Sequence, residues 1–105
     1  MTQKTEKEKM LAGEAYRAAD PQLVADIRRA QRLLLRYNAT SVDDTDVRTE
    51  VLRQLLASIG EGTVIRPMFA CDYGSNIRLG RNSFINYNCV FLDCARIEIG
   101  DDLQM

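Results

Sequence analysis

Histidine and tryptophan are absent from this 105-residue chain, and proline occurs only twice. Without histidine the chain holds no imidazole general base, no histidine metal ligand and no imidazole pH switch. Cysteine is scarce as well. Cys71, Cys89 and Cys94 are odd in number, show no CxxC spacing and have no histidine to share a metal with, so no metal site is expected. They read as small apolar residues of the interior. An excess of one charge is also missing: 14 Lys+Arg stand against 15 Asp+Glu, which leaves no basic footprint for nucleic acid. Long apolar runs are lacking too, since none exceeds four residues, far short of the ~20 that span a bilayer. The early lysines alternate with Glu6 and Glu8 and precede no apolar stretch, so they form no signal peptide. A soluble, cytoplasmic protein that engages neither membrane nor nucleic acid is expected.

What is present changes character at Gly60. Before it, apolar residues recur at helical spacing; after it, they recur at strand spacing with Gly and Asn punctuation. Residues 5–16 read as a short surface helix. Asp20-Pro21 then supplies an N-cap and a first helical residue. Leu23, Ile27, Ala30, Leu34 and Tyr37 fall on one face of the next helix, while Arg28, Arg29, Arg32 and Arg36 form its solvated side. Residues 38–41 break it, and Asp43-Asp44 with Thr45 can cap a third helix carrying Val47, Val51, Leu55 and Ile59. Gly60-Glu61-Gly62 ends the helical part.

The second part repeats. Ile77-Arg78-Leu79-Gly80-Arg81-Asn82 and Ile97-Glu98-Ile99-Gly100-Asp101-Asp102 share the pattern Ile-x-aliphatic-Gly-polar-polar and start 20 residues apart. Leu79, Ile85 and Phe91 continue at steps of six, as do Ile99 and Met105. Six is the repeat of a hexapeptide β-helix, in which three hexads close one coil of roughly 18 residues. A separation of 20 therefore reads as one coil plus a two-residue insertion near residues 93–95. The competing reading is an antiparallel sheet with Asn and Gly turns.

These motifs resemble a known family. The stretch Lys7-Glu8-Lys9-Met10-Leu11-Ala12-Gly13-Glu14-Ala15-Tyr16, then Ala19-Asp20-Pro21 and Arg36-Tyr37-Asn38-Ala39-Thr40, is similar to the N-terminal segment of maltose O-acetyltransferases. Cys71-Asp72-Tyr73-Gly74-Ser75-Asn76-Ile77, Asn86-Tyr87-Asn88-Cys89 and Leu92-Asp93 resemble the opening of that family's β-helix. The resemblance places the chain in the sugar O-acetyltransferase branch of the hexapeptide-repeat acyltransferases. It implies an α+β fold: a helical segment over residues 1–60, followed over 61–105 by the first coils of a left-handed parallel β-helix, truncated. It further implies a homotrimer with sites between neighbouring β-helices, acetyl-CoA as acetyl donor and a maltose- or glucose-like acceptor. Carried over residue by residue, Asp72 and Asn86 match acceptor-pocket positions, Asp93 falls in the matching stretch after the strand, and Tyr16 and Arg17 lie where the helical segment approaches the pocket. The bland readings are that Asn86 and Asn88 are corner residues, Asp93 a cap of the insertion and Tyr16 a packing residue.

The family's general base is a histidine further along, within coils that also bind acetyl-CoA. The 105 residues contain none, so this chain alone is expected to be inactive. The alternative is a non-catalytic module that self-associates or binds a partner through an open coil edge.

Overall fold

A computed structural model describes residues 3–105. Three helices come first: α1 (Glu6–Leu11), α2 (Pro21–Asn38) and α3 (Thr45–Leu55). Helix α1 begins in a capping box, in which Thr5 Oγ1 accepts from Glu8 N at 3.1 Å and Glu8 Oε1 accepts from Thr5 N at 3.0 Å. Asp20 caps α2 by accepting from Gln22 N and Leu23 N, and Pro21 fills the first helical position. The stripe expected from spacing is the buried one: Leu23, Ala30, Leu34 and Tyr37 all face inward. Helix α3 departs from expectation at both ends. Asp44 occupies the N-cap position but makes no side-chain cap, because its carboxylate turns back to accept from Ser41 N at 2.8 Å. At the other end Leu56 is extended (φ −90°, ψ 153°), so Ile59 lies in a strand and not on the helix.

Seven short strands follow: β1 (Ser58–Ile59), β2 (Val64–Ile65), β3 (Phe69–Cys71), β4 (Ile77–Leu79), β5 (Phe84–Ile85), β6 (Cys89–Phe91) and β7 (Ile97–Ile99). They pair as β1-β4-β7, β2-β5 and β3-β6, every pair parallel. Antiparallel turns are thus excluded. The chain visits three sheets in rotation and returns to each one coil later.

The register is constant: Ser58 pairs with Arg78, Arg78 with Glu98, Val64 with Phe84, and Phe69 with Cys89. Each of these steps is 20 residues, so the two extra residues expected near 93–95 also occur one coil earlier, around residues 72–76. The columns explain the punctuation. Gly60 and Gly80 stack so closely that a Cβ on Gly60 would lie 2.5 Å from the Gly80 carbonyl. One corner column is Gly62, Asn82 and Asp102, with φ of +78°, +54° and +59°, a left-handed conformation open chiefly to Gly, Asn and Asp.

Inside the coil Ile65, Phe69, Ile77 and Ile85 are essentially inaccessible, joined from the helices by Leu34, Tyr37, Val51 and Leu55. Full burial of one such side chain contributes about 1.5–3 kcal/mol. Phe69 and Phe91, from adjacent coils, meet edge to face with centroids 5.4 Å apart. Helix α2 docks onto the coil through polar side chains as well. Asn38 pairs with the backbone of Phe69 through both amide atoms at 2.9 Å, Gln31 donates to Cys71 O at 3.3 Å, and the buried Tyr37 hydroxyl donates to Ile65 O.

Candidate functional site

The polar side chains concentrate at the corner where the chain leaves β3 or β6, residues 72–76 and 92–96. A buried carboxylate organises it. Asp93 has no accessible surface; Oδ1 accepts from Asp72 N at 3.1 Å and Tyr73 N at 2.8 Å, and Oδ2 accepts from Asn76 N at 3.2 Å. Asn76 closes the loop by donating Nδ2 to Asp93 O at 2.8 Å. One side chain of the second coil thereby gathers three amides of the first. Burial pushes the Asp93 carboxyl above its ordinary range while those amides pull against it.

Above this staple lies Asp72, half-buried. Its Oδ2 accepts from the Cys94 thiol at 3.3 Å, and no donor within the described residues reaches Oδ1. Tyr16, from the loop after α1, packs with Cys94 against Met10, Leu23 and Tyr73; the neighbouring thiol raises its phenol, and burial foremost raises the thiol. Tyr73, buried with Met10 of α1 and Leu23 of α2, floors the corner; burial foremost pushes its phenol up to about 12. The loop carrying Tyr16 is tied down twice: Glu6 Oε1 accepts from Arg17 N at 2.7 Å, and Lys4 pairs with Glu14. Lys7 to Asp26, 3.3 Å apart, fastens α1 to α2.

Tyr16, Asp72 and Asp93 are therefore gathered at one corner, with Arg17 adjacent in the chain and exposed. Asn86 is elsewhere. It lies exposed at the corner between β5 and β6, its Oδ1 accepting from Tyr87 N at 2.9 Å. The cysteines pack as apolar residues, Cys71 in the core, Cys89 against it and Cys94 against Met10, Leu23 and Tyr73, but Cys94 also bonds Asp72; burial drives the Cys71 thiol up to about 12. A sequence signal for Cys94 exists in retrospect: in a 20-residue coil, a separation of 22 from Asp72 puts both on one corner.

Chemically, the Asp72 corner can accept hydrogen bonds from hydroxyls but offers no base for deprotonating one. Its thiol and phenols are raised, its buried carboxylate is occupied by amides, and no imidazole exists. Among the described residues no His/Cys/Asp/Glu group is arranged to hold a metal, and no helix is long and apolar enough to cross a membrane.

A second surface lies between α2 and the outer side of β3 and β6. It is a largely apolar groove of about 350 Å³ lined by Leu34, Leu35, Met68, Ala70 and Val90, with Leu35 76% and Val90 60% exposed.

Comparison with known proteins adds the following. Residues 9–60 match the maltose acetyltransferase hexapeptide capping motif. Nodulation protein L of Rhizobium meliloti (strain 1021) is 51% identical over 98 residues, 93% of this chain and 54% of that protein. The crystal structure of a maltose O-acetyltransferase from Clostridium difficile 630 superposes with a TM-score of 0.94 at 43% identity, over 98% of this chain and 55% of that one. A hexapeptide-repeat-containing acetyltransferase from Vibrio cholerae O1 biovar eltor, solved with acetyl coenzyme A, gives 0.86 at 38% identity, over 97% of this chain and 55% of that one. The chain spans about half the length of the curated relatives it matches.

Proposed function

Because this chain belongs to the hexapeptide-repeat acetyltransferases that carry a maltose acetyltransferase capping segment, we propose that its 105 residues supply the acceptor-binding side of a sugar O-acetyltransferase. The observation that carries this reading is the Asp72 corner. A carboxylate with one free oxygen stands at the seam between helical cap and coil, beside a phenol. Such an oxygen accepts from a sugar hydroxyl and fixes the sugar's orientation.

The three-sided parallel coil is, on this reading, a left-handed β-helix. In the transfer the acceptor hydroxyl oxygen bonds to the acetyl carbonyl carbon, the carbon–sulfur bond to coenzyme A breaks, and the hydroxyl proton passes to a base. Asp72 and Tyr16 bind and orient the acceptor, Arg17 borders it, and Asp93 acts from beneath by holding the corner. The proton acceptor is an imidazole that these residues do not contain, so the chain alone binds without turning over.

Asn86 enters through assembly. Asp72 of the first coil and Asn86 of the second occupy different corners, separated by the β3-β6 face, and a homotrimer brings the Asn86 corner of one chain to the Asp72 corner of the next. The exposed apolar groove at Leu35, Met68 and Val90 supports such packing, since apolar patches of this kind mark association surfaces.

A chimera tests the function. These 105 residues replace the matched segment of the Clostridium difficile maltose O-acetyltransferase, and free coenzyme A is followed with acetyl-CoA and maltose. Sugar-dependent release is expected. A folded chimera that binds acetyl-CoA yet releases nothing above hydrolysis would overturn the reading.

A further inference from the structure

The corner contains one group that acceptor binding by Asp72 does not by itself require, the Cys94 thiol. Cys94 follows Asp93 directly, and the two side chains part company: Asp93 is buried among amides, while Cys94 remains partly accessible and donates to Asp72 Oδ2 at 3.3 Å. Asp93 already holds the backbone of residues 72–76, so the thiol is not needed to keep the corner together. Its effect falls on the Asp72 side chain. A carboxylate on a half-exposed corner rotates freely unless something engages one oxygen, and here a single soft donor engages one and leaves the other open.

We propose that Cys94 is a positioning residue: its thiol fixes Oδ2 of Asp72 so that Oδ1 is presented outward to a pyranose hydroxyl, with Tyr16 of the cap packed at the same corner. The assignment rests on the acceptor-binding role proposed for Asp72. A thiol suits the task because it is a weak donor. It orients Asp72 without competing strongly with a sugar hydroxyl for the carboxylate charge.

The titratable groups that act on the thiol are Asp72, whose Oδ2 it bonds, Tyr16 from the cap loop and Asp93 from its own coil; Tyr73 belongs to the cluster against which Cys94 packs. Their signs differ, and the experiment uses this. In a Cys89→Ala background, where Cys71 stays silent through burial, the pH profile of iodoacetamide alkylation reads the Cys94 thiol. Asp72→Asn removes a charge that disfavours the thiolate, so the midpoint falls; at fixed pH the thiolate fraction rises about threefold for half a unit. Tyr16→Phe removes a donor that favours the thiolate, so the midpoint rises. Urea midpoints of the same variants confirm that each folds. A midpoint that does not move in Asp72→Asn would overturn the relay. Protection of Cys94 from alkylation by added maltose, lost in Asp72→Asn, supports both the relay and the acceptor role. Shifted midpoints without protection sustain the relay as a contact but remove the positioning role together with the acceptor reading it depends on.

Discussion

Replacing Asp93 by Ala should be among the most damaging single substitutions in the coil, for a reason that can be worked residue by residue. The change strips acceptors from the amides of Asp72, Tyr73 and Asn76, now bonded at 3.1, 2.8 and 3.2 Å. An unsatisfied buried donor costs about 1–3 kcal/mol. The Tyr73 and Asn76 amides lie in buried surroundings, whereas the Asp72 amide can reach water. Relief of a desolvated carboxylate offsets part of the loss. A net destabilisation of about 3 kcal/mol is expected, which in a chain of this size lowers the melting temperature by on the order of 10–20 °C. Asp93→Asn keeps one acceptor oxygen for Asp72 and Tyr73 but turns an amide NH2 toward Asn76 N, so about half that loss is expected. Urea unfolding followed by circular dichroism measures both, and hydrogen exchange at residues 72, 73 and 76 should accelerate first. If Asp93→Ala unfolds within about 0.5 kcal/mol of the parent, the range of an ordinary surface change, the staple reasoning is refuted and a role facing the acceptor becomes the better account of this carboxylate.

Three further outcomes follow from the same structure. Gly60→Ala forces a Cβ to within 2.5–2.6 Å of the Gly80 and Arg81 backbone, whereas Gly100→Ala meets nothing within 4 Å. The clash at Gly60 should cost about 1–3 kcal/mol, as urea midpoints would report. The Tyr37 phenol, raised by burial from 10.0 to about 12, stays protonated longer in the folded state than in the unfolded one. Its stability contribution is full below pH 10 and is lost as pH rises toward 12; Tyr37→Phe should flatten this part of an alkaline unfolding curve. Cys71 acts in the same direction from 9.0 upward, so alkaline loss in Tyr37→Phe should shrink again on adding Cys71→Ala.

Most of the fold was legible because it rests on local chemistry. Asp20-Pro21 can start a helix with little help, and a stripe at Leu23, Ala30, Leu34 and Tyr37 has one way to be buried. Hexads at Ile77 and Ile97 announced the coil. What escaped depends on partners distant in sequence. Ile59 continues the helical stripe of α3 on paper, yet Ala57 N and Gly60 N bond to Ile77 O and Leu79 O, and that ladder draws the segment into a strand. The second occurrence of the two-residue insertion was hidden because residues 72–76 lack the hexad wording, and the 20-residue pairing register reveals the two corners as equivalents. For the site, the resemblance supplied Asp72, Asn86, Asp93, Tyr16 and Arg17, but spacing alone could not distinguish a carboxylate aimed at solvent from one spent on amides. The bond of Cys94 to Asp72 was not legible, since a thiol's role is set by what stands beside it.

The central claim is that Asp72 and Asn86, on different corners of adjacent coils, serve one site across a chain boundary. Subunit mixing in the active chimera tests it most directly. Asp72→Ala and Asn86→Ala chimeras are prepared separately, dissociated, mixed and reassembled, and maltose-dependent release of coenzyme A is measured before and after. Each variant alone should be nearly inactive, and the mixture should recover part of the parent rate, because some boundaries then pair an intact Asp72 with an intact Asn86. Full assembly with no recovery on mixing would contradict the account.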